Sequence, residues 1–327
     1  MVSDIDGVKY IFGPVPSRRL GNSLGINNIP YKTCTYSCVY CQLGRTTNLT
    51  IERKTYSAPE KIIREIEYIM RKPVRIDYIT FVPDGEPTLD KNLGKTAGMI
   101  KDKVSVPLAI LTNGSLVWRE DVHNELMLFD VVSLKIDGLG DVWRKINRPH
   151  PRLSIDTIVD AMIDFSSTYG GKILTETMLI HDLNTKPDIL MGLASIVGRI
   201  RPHKAYLSIP IRPPAEPWVK PPTEEEIVMA YRIFADRLGE EKVELLITPE
   251  PPSFHPPEDP VEYILNVIAV HPLRIEYAID ILEKHTDKPQ EVINHLINTG
   301  KICLVTYQGT TFITRRIPRG NIVTPSS

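Results

Sequence analysis

Three of the four cysteines lie close together in the sequence, as Cys34, Cys38 and Cys41, whereas Cys303 lies near the other end. Thiolates at this C-x3-C-x2-C spacing can bind three corners of a cubane [4Fe–4S] cluster from one loop. The fourth iron then has no protein ligand, and an open coordination position suits catalysis. The alternative is a zinc site, in which a distant histidine would have to supply the fourth ligand. The spacing favours the iron–sulfur cluster.

A second candidate segment, residues 83–89, reads Pro-Asp-Gly-Glu-Pro-Thr-Leu and directly follows a predicted strand. In α/β barrels the active site gathers at the C-terminal ends of the strands. The alternative is that the proline, aspartate and glycine simply form a turn. The position at a strand end favours a functional role for this segment.

Polar residues also accompany three other predicted strands. Asn113 follows the third strand, and Glu176 lies in the fifth. Ser133, Lys135 and Asp137 alternate along the fourth strand, so they share one face. If that face is buried, these groups need partners, and a bound ligand is a natural one. For three of these residues there is an alternative that needs no ligand: Asn113 caps a turn, Lys135 pairs only with Asp137, and Glu176 points outward.

Arginines lie in three stretches that are too polar and too rigid for simple connections. Arg148 and Arg212 fall in residues 145–150 and 212–216, which follow the fourth and sixth predicted strands, and residues 14–21 precede the first strand. A guanidinium presents a fork of donors that matches carboxylate or phosphate. These arginines therefore either contact a substrate or cofactor or form ordinary surface ion pairs.

Short apolar runs alternate with amphipathic stretches through most of the chain. The predicted strands are residues 23–29, 75–82, 108–112, 131–136, 173–179 and 205–211. The predicted helices that follow them are residues 58–71, 118–128, 155–168, 187–200 and 223–238. Such short apolar strands are typical of a parallel sheet buried on both faces. Six successive βα units predict an α/β fold with a parallel barrel, complete or partial.

Residues 249–260 are a proline-rich linker by composition. They separate the predicted barrel domain, residues 1–248, from a small domain, residues 261–327. In the small domain we predict helices at residues 261–270, 274–284 and 289–299 and a hairpin formed by residues 302–307 and 311–315. Helices followed by a β-hairpin are typical of a winged-helix domain.

The composition narrows the class of protein. The net charge is −1, with 42% hydrophobic and 24% charged residues, so no global field attracts the chain to nucleic acid or acidic lipid. No apolar run reaches membrane-spanning length and no basic-then-apolar leader begins the sequence, which predicts a cytoplasmic protein without a membrane partner. In that compartment clustered cysteines indicate metal binding rather than disulfides.

The cysteine motif, with Tyr40 directly before Cys41, resembles the signature of the radical S-adenosylmethionine (radical SAM) superfamily. The resemblance extends over residues 23–212. It implies a partial (βα)6 TIM-like barrel, a [4Fe–4S] cluster and S-adenosyl-L-methionine, whose amino and carboxylate groups chelate the open iron. It further implies one-electron reduction by a donor such as ferredoxin or flavodoxin, followed by hydrogen abstraction from substrate by a 5′-deoxyadenosyl radical.

Residues 83–89 are similar to the Gly-Gly-Glu-Pro motif of that superfamily, whose backbone receives the methionine amino group. Asp84 stands at the first glycine of the motif. The resemblance also implies that the fourth strand contacts the ribose or carboxylate of the cofactor. Together with the arginine stretches, this gives the candidate cofactor-binding residues Tyr40, Asp84, Gly85, Glu86, Pro87, Asn113, Ser133, Lys135, Asp137, Glu176, Arg148 and Arg212.

Residues 13–21, 23–26 and 32–34 resemble a branch of prokaryotic radical SAM proteins that is grouped by sequence with the wybutosine-type tRNA-modifying synthases. Those synthases use additional cluster cysteines. With Cys303 alone left over, a second cysteine-ligated cluster cannot be built here. The exact reaction of the synthases is therefore not carried over to this chain.

Three functions follow from these patterns. The first is a single-cluster radical SAM enzyme whose substrate could be RNA, with helix 289–299 and the basic residues Arg315, Arg316 and Arg319 helping it to dock. The second is an activase that abstracts hydrogen from a glycine of a partner protein. The third is a nucleic-acid-binding regulator whose cluster senses redox state. A polar cofactor pocket at the strand ends would discriminate against the regulator.

Overall fold

The computed structural model describes residues 9–256 and 259–315, and its main element is a curled sheet of eight strands. The first ten strands in chain order are β1 (Ile11–Ser17), β2 (Gly21–Ile26), β3 (Thr33–Cys34), β4 (Asn48–Leu49), β5 (Tyr78–Phe81), β6 (Leu108–Thr112), β7 (Val131–Lys135), β8 (Lys172–Met178), β9 (Lys204–Ser208) and β10 (Val243–Leu246). β3 and β4 pair with each other. The other eight form the sheet in the order β1-β2-β5-β6-β7-β8-β9-β10.

All strands of this sheet from β2 to β10 run parallel, and β1 is antiparallel to β2 at one edge. β1 and β10 lie at opposite edges, so the sheet forms a partial barrel. This confirms the predicted α/β fold with a parallel, TIM-like partial barrel. Each of the six predicted strands is present, and their C-terminal ends meet at one edge, as parallel pairing requires.

Helices connect successive strands and cover the sheet. They are α1 (Pro59–Met70), α2 (Leu93–Lys103), α3 (Glu120–Leu126), α4 (Gly140–Asn147), α5 (Ile155–Thr168), α6 (Pro187–Ile200) and α7 (Glu224–Leu238). Their apolar faces share one core with the strands, as α6 illustrates by burying Leu190, Leu193 and Val197. Burial of each such side chain contributes roughly 1.5–3 kcal/mol. The core thus holds the strand ends in fixed register.

Four elements of the barrel do not follow from the sequence patterns. β1 contains Pro14 and Pro16, which are tolerated because β1 is an edge strand. β10 has only four residues. The helix α2 contains two glycines, which weaken its propensity, and α4 has only eight residues and begins at a glycine.

The C-terminal residues form a second unit with its own apolar core. Its elements are α8 (Pro260–Val270), β11 (Leu273–Arg274), α9 (Ile275–Glu283), α10 (Pro289–Asn298), β12 (Ile302–Tyr307) and β13 (Thr310–Arg315). The order of three helices and a hairpin is as predicted, whereas the winged-helix assignment stays a prediction. The unit contacts the barrel at β1, where Tyr263 Oη donates to the carbonyl of Pro14 at 2.6 Å.

Two residues of the predicted linker are buried. Phe254 is 1% exposed and packs in the C-terminal core, and Glu250 is 6% exposed. These two residues therefore anchor the predicted linker, whereas Pro251, Pro252, Ser253 and His255 are exposed. Among the described residues, every helix is too short or too polar to cross a lipid bilayer.

Candidate metal centre and cofactor cavity

The three clustered cysteines lie on a loop that starts at β3 and is fixed to the C-terminal end of α4. The backbone N–H of Val39 donates to the carbonyl of Ile146 at 2.9 Å, and that of Ser37 donates to the carbonyl of Asn147 at 3.0 Å. These contacts use carbonyl groups that a helix end leaves free. The loop therefore has a defined conformation beside the C-terminal ends of the barrel strands.

Each of the three cysteine sulfurs has a different N–H donor. The donors are Asn113 Nδ2 at 3.7 Å from Cys34 Sγ, Asn147 Nδ2 at 3.4 Å from Cys38 Sγ and Lys32 Nζ at 3.0 Å from Cys41 Sγ. Donors directed at sulfur stabilise thiolates and tune clusters bound by them. Burial raises the pKa of the Cys34 thiol to about 12 and that of Cys38 to about 11. Metal ions bound to the sulfurs would oppose this effect, because a nearby cation favours the thiolate.

The spacing of the sulfurs bears on the kind of metal. The three Sγ atoms do not all lie within 4.8 Å of one another. A single tetrahedral zinc, with Zn–S bonds of about 2.3 Å, would hold its sulfur ligands at roughly 3.8 Å from each other. The wider arrangement and the all-cysteine donor set fit a polynuclear iron–sulfur cluster better than the zinc alternative.

Glu86 is a buried carboxylate that organises the segment after β5. It is 1% exposed and accepts hydrogen bonds from both the N–H and the hydroxyl of Thr88, from the hydroxyl of Thr112 and from the N–H of Asn113. Burial raises the pKa of Glu86, and these donors oppose that effect. The carboxylate thus connects the ends of β5 and β6 and orients Asn113 toward the cysteine loop.

Gly85 lies against the backbone of the cysteine loop. A Cβ atom at this position would come within 1.8 Å of the carbonyl oxygen of Thr33, the residue before Cys34. The Glu86 N–H donates to the same oxygen at 3.1 Å. The absence of a side chain at Gly85 is what allows this close approach.

We therefore expect Gly85→Ala to displace Thr33 and Cys34. The free energy of unfolding of the cluster-free protein should fall by about 3 kcal/mol, at the upper end of typical overpacking costs. Urea unfolding measures this, and the iron bound after reconstitution should fall as well. Gly98→Ala in α2 is the matched control, since a Cβ there meets nothing within 4 Å. Equal stability of the two variants would contradict the close approach.

The polar residues of β7 and β8 form a buried ion cluster. Lys135 Nζ lies 3.1 Å from a carboxylate oxygen of Glu176, and Arg19 pairs with the other oxygen. Burial alone would raise the pKa of Glu176, but Arg19 and Lys135 outweigh it and hold the pKa well below its usual range. Glu176 therefore points inward, and the alternative that Lys135 pairs only with Asp137 is wrong.

Asp137 connects β7 to the cysteine loop. Its carboxylate accepts from Tyr40 Oη, from Asn147 Nδ2 at 2.7 Å and from the N–H of Met178 at 2.8 Å. Lys135 Nζ lies 4.9 Å from the centroid of the Tyr40 ring. Asp137 thus positions two residues of the cysteine site, Tyr40 and Asn147.

A cavity of ≈ 310 Å³ opens beside the cysteines. Ligand pockets typically have volumes of about 300–1,000 Å³. The predicted site residues that line this cavity are Cys34, Cys38, Tyr40, Cys41, Gly85, Glu86, Asn113, Ser133, Lys135, Glu176 and Arg212. The structure thus brings together residues from the cysteine loop and from the C-terminal ends of five strands, β5 to β9.

Four candidate residues do not line this cavity: Asp84, Pro87, Asp137 and Arg148. The Asp84 carboxylate accepts from Arg315 Nη2 at 3.2 Å, and Arg148 pairs with Glu216. Their assignment as cofactor contacts stays a prediction from the sequence.

Several lining or supporting residues are not among the candidates predicted from the sequence. Arg18 and Arg19 line the cavity from the stretch 14–21, which the sequence marks by its polarity and by the family resemblance of residues 13–21. Asn147 lies beside Arg148, in one of the other arginine stretches. The sequence does not indicate what Lys32 and Val270 do, because their roles depend on contacts that form only in the fold.

Residues 28–189 match the family model described as the Radical SAM superfamily. A UPF0026 protein of Methanocaldococcus jannaschii is 45% identical over 309 residues, covering 94% of this chain and 96% of that one.

Two solved structures share the fold at low identity. One is TYW1 with a lysine–pyruvate adduct bound, with a TM-score of 0.50 and 13% identity over 67% of this chain and 75% of that one. The other is a radical SAM methyltransferase from Sphaerobacter thermophilus, with a TM-score of 0.51 and 16% identity over 69% of this chain and 67% of that one.

Proposed function

Since this chain belongs to the radical SAM superfamily, and is a member of the UPF0026 family, we propose that it is a single-cluster radical SAM enzyme. Cys34, Cys38 and Cys41 bind a [4Fe–4S] cluster, and the adjoining cavity binds S-adenosylmethionine. The observation that carries this proposal is the convergence of three cysteines, each with its own N–H donor, on one cavity at the strand ends.

When bound, the reduced cluster and S-adenosylmethionine supply a 5′-deoxyadenosyl radical for hydrogen abstraction. The chain orients them. The segment that contains Gly85 and Glu86 takes the methionine amino group at its backbone, as the family resemblance implies. Ser133, Lys135 and Glu176 face the cavity from β7 and β8, where they can hold the ribose and the carboxylate. Lys32, Asn113 and Asn147 donate hydrogen bonds to the three sulfurs and thereby stabilise the thiolates.

The electron for this chemistry comes from a donor such as ferredoxin or flavodoxin, on the same family resemblance. A redox-sensing regulator would not need the polar cavity beside the cysteines, and this favours the enzyme. The activase acting on a partner protein stays a prediction.

An RNA substrate also stays a prediction, and one residue expected to support it is engaged elsewhere. The Arg315 guanidinium lies 3.6 Å from the centroid of the Tyr31 ring and donates to Asp84. It therefore faces the barrel, where a phosphate backbone would not meet it. Arg316 and Arg319 lie outside the described residues.

The binding step can be tested by electron paramagnetic resonance. We expect the reduced, reconstituted protein to show a cluster signal that changes when S-adenosylmethionine is added, because the cofactor chelates the open iron. Equilibrium dialysis should show much weaker binding of S-adenosylmethionine to cluster-free protein. An unchanged signal together with equal binding to both forms would contradict the proposal.

A further inference from the structure

The cavity beside the cysteines continues into a second chamber. This chamber has a volume of ≈ 140 Å³ and shares Arg18, Arg212, Gln42 and Val270 with the first. Among the described residues that line it, none is a cysteine. Its volume lies below that of a typical ligand pocket, so it suits one end of a ligand rather than a whole one.

Arg18 stands at the boundary of the two chambers with most of its donors unused. Its Nη1 donates to the carbonyl oxygens of Leu246 at 2.8 Å and Thr248 at 3.2 Å. Within the part of the chain that the structure describes, its Nη2 and Nε have no hydrogen-bond partner. Two carbonyl groups thus fix the side chain and leave one edge of the guanidinium available.

The other cations around the chambers are paired with carboxylates. Arg19 and Lys135 share Glu176, and Arg212 Nη2 lies 2.6 Å from a carboxylate oxygen of Glu250. Among the described residues of this group, Arg18 alone makes no ion pair. Burial, with Arg212 and Arg19 nearby, lowers the pKa of Arg18 to about 10, so the side chain is still charged at neutral pH.

The remaining titratable group of the second chamber does not neutralise this charge. Burial, and the positive charge of Arg212, lower the pKa of His271 to about 4. Its Nδ1 lies 3.1 Å from the carbonyl oxygen of Pro272, which can only accept, so this nitrogen carries the proton. Neutral His271 therefore offers Nε2 as an acceptor and supplies no negative charge to Arg18.

The carboxylate of S-adenosylmethionine is a poor candidate for this arginine. In the proposed function it chelates the open iron, at the cysteine end of the first cavity. The lining of the second chamber includes Glu250 and His271, which do not line the first cavity, and none of the three cysteines. Arg18 is partly buried and makes no ion pair among the described residues, so it carries a desolvation cost that a bound anion would offset.

We propose that Arg18 binds the carboxylate or phosphate group of a small anionic substrate in the second chamber. This inference rests on the proposed function, because that function places S-adenosylmethionine in the first cavity. The anionic group then anchors the substrate, and the rest of it extends toward the cysteine end. Arginine suits this role because its planar fork can hold either anion through two hydrogen bonds.

The test uses reconstituted protein loaded with S-adenosylmethionine and calorimetric titration with two probes, sodium acetate and inorganic phosphate, at constant ionic strength. We expect at least one probe to bind with a Kd in the millimolar range, about what a single anchoring group provides. Binding of one probe and not the other would identify the anion class. Arg18→Gln should weaken that binding by about 10- to 100-fold, the loss expected for a charge-assisted hydrogen-bond pair.

Two variants make the result specific. Arg18→Lys keeps the charge and should retain part of the affinity, which separates loss of the anion contact from a folding defect. Arg144→Gln is the matched control, since Arg144 lies on the exposed side of α4 and pairs only with Asp141 among the described residues. It should bind both probes as the wild type does.

The proposal would be overturned if the wild type bound neither probe, or if Arg18→Gln bound them as the wild type does. It would also be overturned if Arg18→Gln weakened S-adenosylmethionine rather than the probes, because Arg18 would then belong to the cofactor site. Failure of wild-type protein to bind S-adenosylmethionine is a separate result. That result would contradict the proposed function. It is measured by titrating the wild-type protein with S-adenosylmethionine, without either anion probe.

Discussion

Cys38→Ala is expected to eliminate the [4Fe–4S] cluster and all cleavage of S-adenosylmethionine. The remaining two cysteines cannot hold the cluster at three corners. Asn147 Nδ2, now 3.4 Å from Cys38 Sγ, would also lose its sulfur acceptor. Iron and sulfide content after anaerobic reconstitution measures the first effect, and mass spectrometry of 5′-deoxyadenosine measures the second.

Cys303→Ala is the matched control for this experiment. Cys303 is also half-buried, but it lies in β12, and its sulfur contacts Thr314 at 3.0 Å. This variant should bind as much iron as the wild type and cleave the cofactor equally well. Retained cleavage after Cys38→Ala, or loss of the cluster after Cys303→Ala, would show that the ligands are assigned incorrectly.

Glu176→Gln is expected to cause the largest loss of stability among changes in the cavity. The carboxylate neutralises both Arg19 and Lys135, and its side chain is only 11% exposed. Removing one partner of a buried ion pair typically costs about 3–5 kcal/mol, because the other charge is left uncompensated. Urea unfolding of the cluster-free protein at neutral pH measures this loss.

Glu244→Gln is the control, because Glu244 pairs with Lys204 at 3.8 Å and both side chains are more than 40% exposed. Its loss should stay below about 1 kcal/mol, as for other surface pairs. Equal losses in the two variants would contradict the prediction that the buried ion cluster contributes more to the free energy of unfolding than a surface pair does.

The pH dependence of the free energy of unfolding gives a second test of the Glu176 carboxylate. The folded-state pKa of Glu176 is held below its unfolded value of about 4.3, so the carboxylate stabilises the fold above that pH. This contribution is lost as the pH falls through the folded-state pKa. The wild type should therefore lose more stability than Glu176→Gln on acidification from pH 5. The curves of unfolding free energy against pH for the two proteins should converge.

Hydrophobic periodicity predicts the interior of the barrel well because parallel strands buried on both faces leave a simple apolar signal. The six predicted strands and their helices all occur. The same signal fails at the edge, where β1 needs to satisfy only one neighbour and therefore contains prolines. It also fails for α4, whose eight residues are stabilised by Trp143 and Ile146, both buried.

The candidate site is predictable where spacing along the chain sets the chemistry. Cys34, Cys38 and Cys41 need no fold to suggest a cluster, and Glu86 is recognisable from the residues around it. Asp84 and Arg148 show the limit of this approach. Asp84 pairs with Arg315, and Arg148 pairs with Glu216. Each partner lies in a distant segment of the sequence that only the fold brings near.

The C-terminal unit is predicted from the sequence as a separate domain that helps to dock a macromolecule. In the structure it lies against the barrel, and Val270 at the end of α8 lines both chambers. Tyr307 Oη donates to the carbonyl of Pro210 at 3.2 Å, which connects the hairpin to the segment after β9. The unit thus forms part of the wall of the proposed active site.

The central claim is that this chain cleaves S-adenosylmethionine at a cluster held by three cysteines. The most direct test is anaerobic reconstitution with iron and sulfide, reduction with dithionite, addition of S-adenosylmethionine and detection of 5′-deoxyadenosine by mass spectrometry. We predict that the product appears only when cluster, reductant and S-adenosylmethionine are all present. If a cluster forms but S-adenosylmethionine is neither bound nor cleaved, the claim is contradicted, and the cysteines serve a sensor or an electron carrier instead.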